Sequence, residues 1–80
     1  SLSAVGEVTL TANTTTTTVT HRGVSTNSVI ALMALTANAA AEGVGKLIAP
    51  TKGQFVITHA NNAQTDRTFR YHFHTSRAQL

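Results

Sequence analysis

The sequence predicts an all-β protein, a small antiparallel β-sandwich or jelly-roll-like barrel of about six short strands. Apolar and polar residues alternate with a period of two in several stretches, and turn-forming residues separate these stretches at regular spacing. Threonine, a β-branched residue favoured in strands, forms an unbroken run over 14–18. Eighty residues are enough for one domain, 1–80, whose ends at 1–6 and 75–80 we expect to be frayed.

Composition excludes several classes of protein. Hydrophobic residues make up 41% of the chain and charged residues 11%, which is too apolar and too weakly charged for intrinsic disorder. There is no cysteine, so neither disulfides nor thiolate metal sites can stabilise a core this small. We therefore expect the chain to gain stability by forming a homo-oligomer.

The net charge of +3 comes from basic residues that are scattered along the chain. Nucleic-acid binding needs a basic patch with interleaved aromatic residues, so we expect no nucleic-acid partner. No run approaches the roughly 20 apolar residues that cross a membrane, and no signal peptide pattern is present, so we expect no membrane insertion.

The first half of the chain predicts three strands. Residues 7–12 alternate, with Val8 and Leu10 on one face, and Asn13 ends the pattern. The threonine run lacks the Gly, Ser or Pro of a linker or stalk, which predicts an edge strand or a strand with one wet face. One side of this strand would hold Thr15, Thr17 and Val19. Residues 29–35 are apolar on both faces, which indicates either a central core strand or a strand with one face at a subunit interface.

The second half predicts a helical turn and three further strands. "TANAAAEG" predicts one or two helical turns, capped by Thr36 or Asn38 and stopped by Gly43. "KLIAP" is a short strand, and "QFVITH" places Phe55, Ile57 and His59 on one face. "ANNAQTD" is a polar loop. "RTFRYHFH" places three aromatic residues, Phe69, Tyr71 and Phe73, opposite Thr68, Arg70, His72 and His74.

The residues offer little chemistry, and we expect no enzyme. The acidic residues are far apart in sequence, and no nucleophile elbow accompanies the serines and histidines. Asn61, Asn62 and Asp66 supply one carboxylate, too few for a useful calcium site. His59 lies on an apolar face and is expected to be a hydrogen-bonded core or rim histidine rather than a metal ligand.

The clearest candidate for a metal site is the pair His72 and His74. Residues i and i+2 of a strand share a face, about 6–7 Å apart. Three chains around a threefold axis would bring together six imidazoles, enough for an octahedral transition-metal ion. The alternative is two exposed histidines on a wet face, in which case no cofactor is expected. A glycan or receptor surface is the other candidate, with Tyr71 as an exposed aromatic platform beside Asn61, Asn62 and Gln64.

Three segments, "VTLTANTTTTTVTH", "STNSVIALMALTANAAAE" and "GQFVITHANNAQTDRTFRYHF", together carry a family resemblance. Over about residues 8–73 the chain resembles a short module of tailed-bacteriophage structural proteins, in the C-terminal part of tail fibre or tail-associated proteins. The segment "THANNAQTDRTFRY" is the most distinctive part. The family module usually ends near the last aromatic strand, whereas this chain continues as "HFHTSRAQL".

The resemblance implies a non-enzymatic virion component of a tail fibre or tailspike, made in the bacterial cytoplasm. It implies an all-β homo-oligomer, typically a trimer, whose partners are other virion proteins and whose loops display a host-attachment surface. We expect the oligomer interface to include Thr15, Thr17, Val19, Ile30 and Leu32. The alternatives are a capsid decoration or accessory spike protein of the phage head and, from another class, a carbohydrate-binding module that takes a host surface glycan.

Overall fold

The chain folds as a two-sheet antiparallel β-sandwich with one short helix, which confirms the predicted fold class. The structure is a computed structural model and describes residues 2–42 and 47–75. The elements in chain order are β1 (Leu2–Thr9), β2 (Thr16–Thr20), β3 (Ser28–Ala34), α1 (Ala37–Ala41), β4 (Leu47–Thr51), β5 (Gln54–Thr58) and β6 (Thr68–Thr75).

In each sheet the central strand is the one that comes last in the chain. Sheet 1 has the strand order β1–β6–β3, and sheet 2 has the order β2–β5–β4. All four pairings are antiparallel, so β1 and β3 run in the same direction on either side of β6. Within the described residues, β1, β2, β3 and β4 are therefore edge strands.

The core lies between the inner faces of the two central strands. The predicted alternation in β5 and β6 is confirmed. Phe55 and Ile57 are buried on the inner face of β5, and Phe69, Tyr71 and Phe73 are buried on the inner face of β6. The rings of Phe55 and Tyr71 meet edge to face across the two sheets, with their centroids 5.4 Å apart. The other buried apolar side chains belong to Leu10, Val19, Val24 and Ala39.

The N-terminal strand is longer than predicted and begins earlier. Residues 2–6 were expected to be frayed, and this is wrong, because they pair with Tyr71–Thr75 of β6. Gly6 lies opposite Tyr71, and a Cβ at this position would overlap the phenol ring. Thr75, also expected in a frayed end, is buried and donates a hydrogen bond to the Gly23 carbonyl. Residues 76–80 lie outside the described part of the chain.

The threonine run forms β2, an edge strand with one wet face, as predicted. Thr17 and Val19 are buried, whereas Thr16, Thr18 and Thr20 are exposed. Thr15 was expected to lie on the same side as Thr17 and Val19, and this is wrong, because Thr15 precedes the strand and is exposed.

The local signals around the helix and the hairpin are also confirmed. Thr36 is the N-cap of α1, and its hydroxyl accepts a hydrogen bond from the Ala39 N–H at 3.1 Å. The predicted stop at Gly43 lies outside the described residues. Pro50 lies in an edge strand, where its missing N–H costs no ladder hydrogen bond. Gly53 adopts φ +84° in the β4–β5 turn.

Strand β3 has only one buried face. Ile30 and Leu32 pack against the core, whereas Val29 and Met33 on the opposite face are 69% and 54% exposed. The alternative of a central core strand, buried on both sides, is therefore wrong.

Candidate functional site

The exposed face of sheet 1 is an ordered array of three cross-strand rows. The rows, read from β1 through β6 to β3, are Ser3–His74–Val29, Val5–His72–Ala31 and Glu7–Arg70–Met33. All nine residues are exposed. We call this array the outer face. It combines apolar side chains on both edge strands with a central column of His74, His72 and Arg70.

The outer face carries exposed apolar side chains on both of its edge strands, where a soluble domain would ordinarily be polar. Val5, Val29 and Met33 are each more than half exposed, and Ala31 lies between the two β3 residues. Contiguous apolar patches of this kind mark interaction surfaces, whereas single exposed apolar residues carry no such meaning. The charges on the face are balanced, because Arg70 Nη2 lies 3.4 Å from Glu7 Oε2.

The structure places His72 and His74 side by side on this face, as the sequence predicted. Their cross-strand neighbours are Val5 and Ala31 for His72, and Ser3 and Val29 for His74. Within residues 2–42 and 47–75, no three His, Asp or Glu side chains cluster in a way that could hold a metal ion. A metal on an oligomer axis stays a prediction.

A second arrangement, which the sequence did not predict, closes one end of the sandwich. The Thr11 N–H donates to the Thr17 hydroxyl at 2.8 Å, and that hydroxyl lies 2.7 Å from His59 Nε2. His59 Nδ1 lies 2.9 Å from the Ala60 carbonyl, and because a carbonyl oxygen only accepts, Nδ1 is the donor in this hydrogen bond. The predicted hydrogen-bonded core histidine is therefore confirmed.

Arg67 completes the ring of hydrogen bonds. Its side chain is fully buried, and it donates to the carbonyls of Ala60 at 2.9 Å and Thr11 at 3.1 Å. Nη1 also lies 3.2 Å from the Glu42 carboxylate, which is 8% exposed. We call the set Thr11, Thr17, Glu42, His59, Ala60 and Arg67 the polar clasp. It joins the β1–β2 loop, β2, the end of α1 and the β5–β6 loop.

Thr17→Val is expected to lower the free energy of unfolding by about 1–3 kcal/mol. Valine has nearly the same shape but leaves the Thr11 N–H and His59 Nε2 without their partner in a buried site. Urea denaturation followed by circular dichroism measures the change. Thr18→Val, one residue along and exposed, is the matched control and should stay within about 0.5 kcal/mol of the original protein. Equal losses in the two variants would contradict the role of the clasp.

The polar loop 60–67 is held by hydrogen bonds within the loop and to two residues at the helix, Asn38 and Glu42. Asn62 Oδ1 accepts from the Gln64 N–H at 3.0 Å, and Asn62 Nδ2 donates to Glu42 Oε2 at 3.3 Å. Asn38 donates to Asp66 Oδ1 at 2.8 Å and accepts from Gln64 Nε2 at 3.1 Å. The loop is therefore a fixed surface that the clasp and α1 support.

The predicted glycan surface is not brought together. Asn61 and Gln64 are exposed and Asn62 is half-buried, but Tyr71 is 7% exposed and packs in the core. The expectation of an exposed aromatic platform at Tyr71 is wrong, because the β6 register turns this ring inward against Phe55.

The predicted interface residues also face inward for the most part. Thr17 and Val19 are buried, and Ile30 and Leu32 pack against the core, so within a single copy only Thr15 of this set is exposed. The apolar side chains that sheet 1 presents to solvent include the neighbours of Ile30 and Leu32 in the alternation, Val29, Ala31 and Met33, together with Val5. An oligomer interface that includes these residues stays a prediction.

No described helix is long and apolar enough to cross a membrane, since α1 has five residues. Comparison with protein-family models, curated proteins and solved structures found no match to this chain.

Proposed function

We propose that the chain is a non-enzymatic structural module of a bacteriophage virion, of the tail fibre or tailspike kind, that works as a homo-oligomer. The observation that carries self-association is the outer face, where β3 exposes the apolar side chains Val29, Ala31 and Met33, and β1 exposes Val5 on the other side of the β6 column. The resemblance of residues 8–73 to tail modules supports the virion role and a trimer.

In this function two surfaces of the molecule have different roles. The outer face joins the copies, and the fixed loop 60–67 is displayed at the end of the sandwich closed by the polar clasp. A loop held by internal hydrogen bonds loses little conformational freedom when it binds, which suits a host-attachment surface. The module is assembled in the bacterial cytoplasm and carried on the particle beside other virion proteins.

Native mass spectrometry of the purified chain tests the self-association. We expect a trimer for the original protein and a monomer for Val29→Glu, because the added carboxylate would be buried without a partner. Leu47→Glu is the matched control, since Leu47 is 67% exposed on sheet 2 against 69% for Val29. A monomeric original protein, or equal dissociation by both variants, would overturn the proposal.

Two further measurements test the location of the protein on the particle and the metal site. Antibody labelling of intact particles separates a tail module from a decoration protein or spike of the head. Treating the oligomer with a chelator before the mass measurement tests His72 and His74. Loss of a bound metal ion would support the axial site, and an unchanged mass would remove it.

A further inference from the structure

An open pocket of about 410 Å³ lies at the end of the sandwich opposite the polar clasp. It is bordered by the start of β1, the turn that follows β2 and the end of β6. Its volume lies within the range of roughly 300–1,000 Å³ that is typical of pockets for small molecules. The described residues that line it are Ser3, Ala4, His21, Arg22, Gly23 and Phe73. None of them belongs to the clasp or to the loop 60–67.

Two aromatic rings and a glycine build the wall of this pocket. The rings of His21 and Phe73 meet edge to face, with their centroids 4.7 Å apart. The Gly23 N–H donates to His21 Nδ1 at 3.1 Å, which fixes the imidazole against the turn. A Cβ at position 23 would lie 3.0 Å from the Phe73 ring, so a glycine is what allows this close approach. The pocket therefore offers a fixed apolar wall to a compact apolar group.

Two polar side chains of the pocket, those of His21 and Arg22, present hydrogen-bond donors. Because a backbone N–H only donates, His21 Nδ1 is an acceptor, and the proton of the imidazole is therefore on Nε2. The Arg22 side chain is exposed, and a guanidinium has five N–H donors and no acceptor. Within the described part of the chain, neither His21 Nε2 nor the Arg22 guanidinium has a hydrogen-bond partner. Both are free to bind an acceptor from outside.

No carboxylate side chain balances the charge of Arg22. The acidic side chains of the protein are all bonded to other residues, in the pairs Glu7–Arg70, Glu42–Arg67 and Asp66–Asn38. Lys52 adds a second exposed cation in the neighbouring turn, which is joined to the pocket because the His21 N–H donates to the Gly53 carbonyl at 3.0 Å. The potential at this end of the sandwich therefore favours an anion.

We propose that the pocket binds a small organic anion, a carboxylate attached to a compact apolar group. The Arg22 guanidinium and His21 Nε2–H bind the carboxylate oxygens, and the apolar group lies against Ala4, Gly23 and the Phe73 ring. One unpaired cation in the lining matches the single charge of a carboxylate better than the two charges of a phosphate. The site goes beyond the proposed self-association and does not depend on it.

Titration of the ¹⁵N-labelled protein with benzoate, followed by NMR, tests the site. We expect the amide signals of Ser3, Ala4 and Gly23 to shift along a saturable curve, whereas those of the loop 60–67 stay unchanged. Benzamide has nearly the same shape without the charge and should bind about tenfold more weakly, because hydrogen bonds to charged groups are the stronger ones. Inorganic phosphate has charge without an apolar group and should also bind more weakly than benzoate.

Arg22→Gln separates the charge from the shape of the pocket. Because Arg22 is exposed, the variant should keep the original urea midpoint, and we expect its affinity for benzoate to fall about tenfold. Lys52→Gln is the matched control, since it removes the same charge from the neighbouring turn, and should change the affinity by less than about twofold at physiological ionic strength.

Four results would overturn the site: no saturable shift with benzoate, benzamide binding as tightly as benzoate, phosphate binding more tightly than benzoate, or equal losses for Arg22→Gln and Lys52→Gln. The last would mean a diffuse attraction between charges rather than a pocket. All of these outcomes leave the self-association standing, because native mass spectrometry measures it separately.

Discussion

Arg67→Ala is expected to lower the free energy of unfolding by about 3–5 kcal/mol, the usual cost of removing one partner from a buried ion pair. The substitution leaves the Glu42 carboxylate buried without its cation and removes the donors to the Ala60 and Thr11 carbonyls. A domain of this length has about 4–12 kcal/mol of stability in total. We therefore expect the variant to be close to unfolding at room temperature, as measured by the urea midpoint of its circular dichroism signal.

Arg70→Ala is the matched control for this prediction. Arg70 also forms an ion pair, but its side chain and that of Glu7 are 48% and 58% exposed. Exposed pairs of this kind contribute about 1 kcal/mol or less. A second variant, Arg67→Met with Glu42→Met, should recover part of the loss, because it removes the Glu42 carboxylate together with the Arg67 guanidinium. Similar losses for Arg67→Ala and Arg70→Ala would show that burial of the clasp contributes nothing.

Phe55→Ala is the second change with a large expected effect, a loss of about 3–5 kcal/mol. Phe55 is fully buried on the central strand of sheet 2 and meets Tyr71 of sheet 1 edge to face. Truncation leaves a cavity between the two sheets that the surrounding β-structure can fill only in part. The same urea titration measures the loss.

The neighbouring residue supplies the control. Val56 occupies the next position of the same strand, faces the other side and is half-buried. Val56→Ala should cost about 1 kcal/mol, a typical value for a single substitution. A larger loss for Val56→Ala than for Phe55→Ala would show that the core lies against the face of β5 that carries Val56, and would contradict the fold described above.

The sequence predicted the strands whose two faces differ in polarity. Phe55 and Ile57, and the three aromatic residues of β6, alternate with polar residues, and period-two alternation needs no knowledge of the partner strand. Residues 2–6 were missed because Ser3 and Gly6 are poor strand formers. Gly6 is placed there by its contact with Tyr71, a tertiary cause that local patterns do not contain.

The surfaces were harder to predict than the strands. β3 is apolar on both faces, so its pattern did not say that Ile30 and Leu32 face the core and that Val29 and Met33 meet solvent. Arg67 was overlooked because it follows a polar loop. One signal was available: Arg67 lies two residues before Phe69, so extending the inward alternation of β6 by one step reaches it. Its partners Thr11 and Glu42 are distant in sequence, and only the fold reveals them.

The central position of β6 has a consequence for synthesis on the ribosome. The strand that separates β1 from β3 is the last of the six to be translated, so β1 and β3 wait without a partner until it emerges. Sheet 1 therefore cannot form step by step during translation, and folding of this sheet must follow the release of β6 from the exit tunnel. Nascent chains stalled before residue 68 would leave β1 and β3 without the strand that pairs with both of them.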